Sequence, residues 1–216
     1  MKSTDNVDSP QVRSVILDYG EVLCSKPSDS YLERMATLFG LDLERFQALY
    51  DKNRRAYDRG DLTPEQYWSS FAETTGVPLD AAKLAQLRSW DVEMWSNLNP
   101  VMIDWMHAVQ RQGLRTALLS NMHLDMVAKV RSEFSWIGKM DVAVLSQEVR
   151  LAKPEPGIYE HCLVRLGTRA EETLFIDDRQ PNVSAAQALG IRAIRFESVP
   201  QLRTALASLG FPTLPD

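Results

Sequence analysis

Cysteine and histidine are scarce in this sequence of 216 residues, which contains two cysteines and three histidines. Two cysteines cannot form the framework of several disulfides that stabilises small secreted domains. The histidines are scattered and offer no pair at the spacing of zinc ligands. We therefore expect neither a disulfide framework nor a zinc site, and we interpret Cys24 and Cys162 as small buried apolar residues.

Long apolar runs and an excess of positive charge are also missing. No run of about 18 uncharged apolar residues is present, and the polar N-terminal segment MKSTDNVDSPQ lacks the apolar region of a signal peptide. A net charge of -5 gives no long-range attraction to nucleic acid or to an anionic membrane. These absences predict a soluble, cytoplasmic protein with a loose N-terminal tail and with neither nucleic acid nor membrane as partner. No pattern predicts its oligomeric state.

Short apolar segments alternate with helical ones along most of the chain. Runs of this kind are typical of strands covered on both faces, as in a parallel sheet. Between them lie segments that begin near proline and end at glycine, as helices do. The alternation predicts an α/β fold, with a Rossmann-like parallel sheet core and helices on both faces. The predicted strands are SVILDY (14–19), LRTALLS (114–120), DVAVLS (141–146), ETLFID (172–177) and IRAIRF (191–196).

A region of four amphipathic segments, residues 25–97, interrupts this alternation and contains no strand pattern. In one segment Thr63, Pro64 and Gln66 have the spacing of a helix start with a capping box. An all-helical region directly after the first strand is expected to be an insertion over the sheet edge where that strand ends. We predict a discontinuous core, residues 1–24 and 98–216, and an inserted helical cap, residues 25–97.

Polar side chains follow the predicted strands where each strand ends. Ligands of open α/β sheets bind outside the carboxyl ends of the strands, so we expect these side chains to meet in one crevice. Carboxylates, an ammonium group, a hydroxyl and an amide suit a hard cation such as Mg²⁺ together with an oxyanion. The residues are Asp18, Ser120, Asn121, Lys153, Asp177 and Asp178.

Four segments resemble, in order, the signatures of the haloacid dehalogenase (HAD) superfamily of aspartate-nucleophile hydrolases. They are ILDYGEVL, ALLSN, AKPEPGIYE and LFIDDRQPNVSAAQALG. Together they cover nearly the whole chain, and the helical region is similar to the helical cap of that superfamily. More closely, the chain is similar to the branch that contains the phosphatase domain of bifunctional epoxide hydrolases and bacterial glucose-1-phosphate phosphatase-like proteins.

This resemblance implies a nucleophile and a metal site. Asp18 would attack phosphorus and form an aspartyl phosphate. One oxygen of Asp18, the backbone carbonyl of Gly20 and the carboxylate of Asp178 would hold Mg²⁺. Asp177 would be either a further ligand or a residue that orients the waters of the metal.

The resemblance also implies groups that bind the phosphoryl oxygens. The Ser120 hydroxyl and the Asn121 backbone amide would contact these oxygens, and Lys153 would neutralise charge around the nucleophile. The expected activity is Mg²⁺-dependent hydrolysis of small phosphorylated metabolites, with sugar phosphates as the default substrates.

Gly20 departs from the common pattern, because most phosphatases of the superfamily have a second aspartate two residues after the nucleophile. That aspartate protonates the leaving oxygen, and such help typically contributes about 10²–10⁴-fold to the rate. Without it we expect alkyl phosphates to react more slowly than aryl or acyl phosphates. Glu21 either replaces this acid or is a solvated turn residue. In the second case a water molecule or a cap residue would supply the proton.

Two other functions remain open at this point. One is a catalytically silent module that binds phosphate or another protein. The other is a metal-independent haloacid dehalogenase, because dehalogenases of the superfamily also lack the second aspartate. They usually carry a DxYGT signature, however, whereas this chain has DYGEV, and its IDD segment favours a metal.

Some polar residues of the predicted helices have an ordinary structural interpretation. Arg54 and Arg55 are interpreted as a solvated helix face, with contact to a substrate anion as the alternative. His123 is interpreted as a structural residue at a helix N-terminus, with contact to the leaving group as the alternative. The tryptophans on helical patterns are expected to pack in the core.

Overall fold

A single parallel sheet forms the centre of the molecule in the computed structural model, which describes residues 11–209, 211 and 214. The strand order is β3-β2-β1-β4-β5, and every neighbouring pair is parallel. The predicted α/β class is confirmed, whereas most of the predicted N-terminal tail lies outside the described residues. The strands are β1 (Ser14–Leu17), β2 (Arg115–Ser120), β3 (Val142–Leu145), β4 (Thr173–Asp177) and β5 (Arg192–Arg195).

Helices cover both faces of the sheet. Val15 and Leu17 of β1 are fully buried on the face that packs against α6, α7 and α11, and Ile16 is fully buried on the face that packs against α9 and α10. Cys24 and Cys162 are buried in these two cores, as the sequence predicts. The helices of the sheet region are α6 (Pro100–Arg111), α7 (Leu124–Glu133), α8 (Ser146–Val149), α9 (Pro156–Leu166), α10 (Gln180–Ala188) and α11 (Val199–Ala207).

The segment between β1 and α6 forms a helical insert, which we define as α1–α5. Its aromatic residues make a separate core in which Phe46, Tyr67, Trp68 and Phe71 are fully buried. No helix of residues 11–209 is both long and apolar enough to cross a bilayer. The insert consists of α1 (Asp29–Leu38), α2 (Leu43–Lys52), α3 (Arg54–Arg59), α4 (Pro64–Thr75) and α5 (Ala81–Glu93).

The predicted helix start at Thr63 is confirmed. The Thr63 backbone N–H donates to Gln66 Oε1 at 2.8 Å, and the Gln66 N–H donates to Thr63 Oγ1 at 3.2 Å, which completes the capping box. The amphipathic segment before it forms two helices, α2 and α3, that meet at Asn53, a residue type that is poor in helix interiors. Its second part, α3, ends at Gly60 in the left-handed conformation (φ 83°), as helices commonly do.

Two helices of the core were not predicted. The four residues of α8 follow β3 directly and are too few to show a helical period. The other, α11, begins after the last predicted strand, where Ser198 accepts a hydrogen bond from the Gln201 N–H at 3.3 Å. Since Ser and Pro are common at helix starts, Ser198 and Pro200 could have predicted this helix from the sequence.

Substitution of Thr63 tests the capping box. We expect Thr63→Ala to lower the free energy of unfolding by about 1 kcal/mol, because the Gln66 N–H at the start of α4 loses its acceptor. Chemical denaturation measures the change. Thr74→Ala on the same helix is the matched control, since Thr74 is exposed and bonds only to the Ser70 carbonyl within the helix. Equal effects of the two variants would contradict the capping account.

Candidate active site

The carboxyl ends of β1, β2 and β4 bring most of the predicted site residues to one cavity. These strands are neighbours in the sheet, and the Asp18 N–H donates to the Ile176 carbonyl of β4 at 2.9 Å. The cavity has a volume of about 250 Å³ and lies between the sheet edge and the helical insert. Asp177 is fully buried and does not line it. The predicted residues that do are Asp18, Gly20, Ser120, Asn121, Lys153 and Asp178.

The Lys153 ammonium joins two of the carboxylates. Its Nζ lies 2.7 Å from Asp18 Oδ1 and 2.6 Å from Asp177 Oδ2, and only 1% of its side chain is exposed. The Asn121 side chain holds the backbone of the same lysine. Its Oδ1 accepts from the Lys153 N–H at 2.8 Å, and its Nδ2 donates to the Lys153 carbonyl at 2.9 Å. Sequence reasoning assigned only the backbone amide of Asn121 a role and missed this contact.

Both oxygens of Asp177 already have protein partners. Oδ1 accepts from the Arg179 N–H at 2.8 Å and from Asn182 Nδ2 at 2.9 Å, and Oδ2 accepts from Lys153 and from Asn182 Nδ2 at 3.0 Å. The Asn182 carbonyl in turn accepts from the Tyr159 hydroxyl at 3.0 Å. Asp177 is thus fixed on every side by hydrogen bonds.

Three carboxyl groups share one ammonium group in this site. Burial raises the pKa of Asp18 to about 8, with Lys153 opposing the shift and the neighbouring carboxylates adding to it. Burial and Asp177 raise the pKa of Asp178 to about 6. Although burial lowers the pKa of Lys153, Asp177 and Asp18 more than offset this and raise it above the usual value. The site therefore carries more negative charge than its own cation compensates.

The donor set fits a hard divalent cation. Asp18, Asp177 and Asp178 each offer a carboxylate oxygen, and these oxygens lie within 4.8 Å of one another. Carboxylate oxygens are the ligands that Mg²⁺ prefers, and a divalent ion would neutralise the excess charge.

A tight turn, Tyr19–Leu23, follows the nucleophile candidate. Asp18 Oδ1 accepts from the Tyr19 N–H at 2.7 Å. Gly20 has ordinary backbone angles (φ -59°, ψ 130°), and a Cβ there would lie 3.6 Å from the Trp95 ring, a normal contact. The backbone therefore does not require glycine at this position. Glu21 lines the cavity in the left-handed region (φ 52°), which non-glycine residues seldom adopt.

The helical insert forms the other wall of the cavity and contains a buried charge network. Arg54 Nε donates to Asp58 Oδ1 at 3.0 Å and Nη1 donates to Asp91 Oδ1 at 2.9 Å and to the Tyr50 hydroxyl. Only 16% of the Arg54 side chain is exposed. Its interpretation as a solvated residue is therefore wrong, because two buried carboxylates compensate its charge. The spacing of Arg54 and Asp58, four residues apart on one helix, could have predicted their ion pair from the sequence.

The insert also binds the sheet region directly. Arg88 of α5 makes two hydrogen bonds to Asp125 at the start of α7, with N–O distances of 2.6 and 2.8 Å. Arg55 of α3 is half exposed and lies 2.6 Å from Glu155 Oε1. These pairs join the two walls around the cavity.

His123 lies immediately before α7, as predicted, and also lines the cavity. Its ring stacks on Tyr57 of the insert, with ring centroids 5.0 Å apart and an interplanar angle of 15°. Nε2 lies 3.5 Å from Asp91 Oδ2. Burial lowers the pKa of His123 to about 4, with the carboxylate of Asp91 opposing the shift, so the imidazole is neutral at pH 7.

Comparison with known proteins gives a family for this architecture. Residues 12–190 match the model of the haloacid dehalogenase-like hydrolases. The chain is similar to a phosphatase of Mycobacterium tuberculosis, with 30% identity over 207 residues that cover 92% of this chain and 95% of that protein. It is also 31% identical over 169 residues to mouse acyl-CoA dehydrogenase family member 10, which covers 71% of this chain but 15% of that longer protein.

A solved structure shows the same fold. A HAD family enzyme of Bacteroides thetaiotaomicron, crystallised with magnesium and inorganic phosphate, superposes with a TM-score of 0.72. The two chains are 24% identical, and the match covers 86% of this chain and 94% of the other.

Because the carboxyl groups of the site lie close together, we expect Mg²⁺ and protons to compete for them. We expect Mg²⁺ to bind more tightly as the pH rises from about 6 to about 8, because the raised carboxyl pKa values of Asp178 and Asp18 mean that protons must leave first. Titration calorimetry in two buffers of different ionisation enthalpy measures both affinity and proton release. Asp178→Asn should weaken binding and reduce proton release, whereas Asp104→Asn, at an exposed position of α6, is the control. An affinity independent of pH would contradict the charge account.

Proposed function

The chain belongs to the haloacid dehalogenase-like hydrolases, and we propose that it is a Mg²⁺-dependent phosphatase of small phosphomonoesters. The observation that carries this proposal is the buried Lys153 between Asp18 and Asp177, next to the third carboxylate of Asp178. A site with surplus carboxylates and one fixed ammonium group suits a metal ion together with a phosphoryl group. The similar M. tuberculosis phosphatase and the Bacteroides complex with magnesium and phosphate support this function.

Asp18 is the proposed nucleophile. A carboxylate oxygen of Asp18 forms a bond to phosphorus while the bond from phosphorus to the leaving oxygen breaks, and the leaving oxygen takes up a proton. Water then attacks the aspartyl phosphate, which releases phosphate and restores the carboxylate. Lys153 neutralises charge beside Asp18, and the Ser120 hydroxyl and Asn121 backbone amide bind the phosphoryl oxygens. The Asn121 side chain keeps Lys153 in place through its backbone.

Asp18, Asp178 and the Gly20 carbonyl would hold Mg²⁺ in this proposal. When bound, the ion supplies positive charge that stabilises the phosphoryl oxygens. Asp177 would not be a direct ligand, because both of its oxygens already accept hydrogen bonds from protein groups. It would instead fix Lys153 and the loop that carries Asp178, which favours its interpretation as an orienting residue.

Substrate choice would depend on the helical insert, which would act as a cap formed by residues 25–97. Its side chains form one wall of the cavity, and closure of this wall excludes water from the reaction. Sugar phosphates remain the default substrates, and a cytoplasmic location remains a prediction. Gly20 has no proton to give to the leaving oxygen. Glu21, which lines the cavity with its backbone in the left-handed region, and water are the two alternative sources, and substitution of Gly20 and Glu21 distinguishes them.

Hydrolysis of p-nitrophenyl phosphate tests the proposed function. We expect Mg²⁺-dependent phosphate release that falls by at least about 10³-fold in Asp18→Asn, because the nucleophile is lost. Asp104→Asn is the control for folding and purity. Halide release from 2-chloropropionate without metal would instead identify a dehalogenase. Phosphate binding without turnover of any ester would identify a silent binding module.

Gly20→Asp tests the absence of a general acid. Since a Cβ at Gly20 makes only an ordinary contact with Trp95, the position admits a side chain, and we expect an aspartate there to protonate the leaving oxygen. We expect the rate with an alkyl phosphate to rise by about 10²-fold, while the rate with p-nitrophenyl phosphate changes less because its leaving group is a weaker base. Gly20→Asn is the control of equal size without a transferable proton. If Glu21 already supplies the proton, Gly20→Asp will add little and Glu21→Gln will lower the alkyl phosphate rate.

A further inference from the structure

Arg179 is a residue of the cavity lining whose guanidinium has no protein partner among the residues that the structure describes. It follows Asp178 directly and is exposed, so a ligand in the cavity can reach it. Within the described residues its side chain makes neither a hydrogen bond nor an ion pair, and only its backbone is bonded. An arginine side chain offers five N–H donors, all of which are available here.

The other cations of the cavity lining are compensated by the protein. The lining contains three cationic side chains, those of Arg54, Lys153 and Arg179. Arg179 differs from the other two because no carboxylate of the described residues pairs with it. The paired cations are Lys153, held by the buried carboxylates Asp18 and Asp177, and Arg54, held by the buried carboxylates Asp58 and Asp91.

The backbone of Arg179 is fixed, although its guanidinium is unpaired. The Arg179 N–H donates to Asp177 Oδ1 at 2.8 Å. Its carbonyl accepts from the N–H groups of Asn182 and Val183 in the first turn of α10, at 3.0 and 3.1 Å. The free charge is therefore carried by a well-anchored residue at the edge of the cavity, as a binding residue requires.

The positive charge of Arg179 acts on the insert wall of the cavity. Burial raises the pKa of Asp58 to about 6, and the charges of Arg54 and Arg179 oppose the shift. Asp58 belongs to α3 of the insert and forms its ion pair with Arg54, at 3.0 Å. The charge of Arg179 thus reaches across from the sheet edge towards the insert without being paired there.

We propose that Arg179 binds a second anionic group of the substrate, a carboxylate or a further phosphate on the leaving group. The groups proposed to bind the transferring phosphoryl group lie at the sheet edge, so the leaving group occupies the space between that edge and the insert. A guanidinium binds carboxylates and phosphates through two parallel hydrogen bonds. This inference rests on the proposed phosphatase function. It narrows the substrates from phosphomonoesters in general to those that carry a second acidic group.

Three substrates with the same three-carbon chain test the preference. Glycerol 3-phosphate ends in a hydroxyl group, 3-phosphoglycerate in a carboxylate, and glycerol 1,3-bisphosphate in a second phosphate. We expect Arg179→Gln to raise KM for the two acidic substrates by about tenfold, because a charge-assisted hydrogen bond is lost, and to change KM for glycerol 3-phosphate by less than about twofold. A rise for one acidic substrate alone would support the inference and identify the anion.

The matched control is Arg111→Gln, at an exposed position of α6 outside the cavity lining, which should keep all three KM values. An equal loss with all three substrates in Arg179→Gln would mean that Arg179 acts on the transferring phosphoryl group or on the insert, and would overturn the inference. Unchanged KM values in Arg179→Gln would overturn it as well, because the guanidinium would then be a solvated surface group.

Titration calorimetry tests the contact without turnover. In Asp18→Asn with Mg²⁺ we expect 3-phosphoglycerate to bind about tenfold more tightly than glycerol 3-phosphate, and the added substitution Arg179→Gln to remove the difference. Equal affinities before that second substitution would overturn the inference. Absence of turnover in the wild type, with the difference in affinity present, would contradict the phosphatase proposal and leave the anion-binding role of Arg179 standing.

Discussion

The active-site edge of the sheet depends on one buried interaction, the Lys153 ammonium between Asp18 and Asp177. Three carboxyl groups in such a small buried space would repel one another strongly, and an isolated buried carboxylate is very costly. Lys153 offsets part of that repulsion, and the Asn121 side chain, through two hydrogen bonds, holds its backbone in place. The compensation is incomplete, and the remaining negative charge is what would attract a divalent cation.

Charge is balanced differently on the opposite wall. Arg54 lies between Asp58 and Asp91, so it offers no uncompensated positive charge for a second anionic group on a substrate. The surplus negative charge of the cavity thus lies at the sheet edge beside Lys153, whereas Arg54 and the carboxylates of the insert wall are paired with one another.

Sequence reasoning predicted the fold class and six residues of the cavity lining, because both depend on local patterns. Apolar runs predicted the strands. Asp18 and Lys153 could be predicted as site residues because they follow strands, and parallel strands end at the same sheet edge. The burial of Arg54 was misjudged, because its partner Asp91 is 37 residues away and only the tertiary packing of α3 and α5 brings them together. The saturation of Asp177 by Asn182 likewise depends on how α10 packs after β4.

The most direct test of the account is to trap the covalent intermediate. Enzyme mixed with Mg²⁺ and p-nitrophenyl phosphate is quenched in acid within the first turnover, digested and analysed by mass spectrometry. We expect the added mass of one phosphoryl group on the peptide that contains Asp18, and no such addition in Asp18→Asn. Phosphate release by the wild type without any adduct on Asp18, or with an adduct on another residue, would contradict Asp18 as the nucleophile.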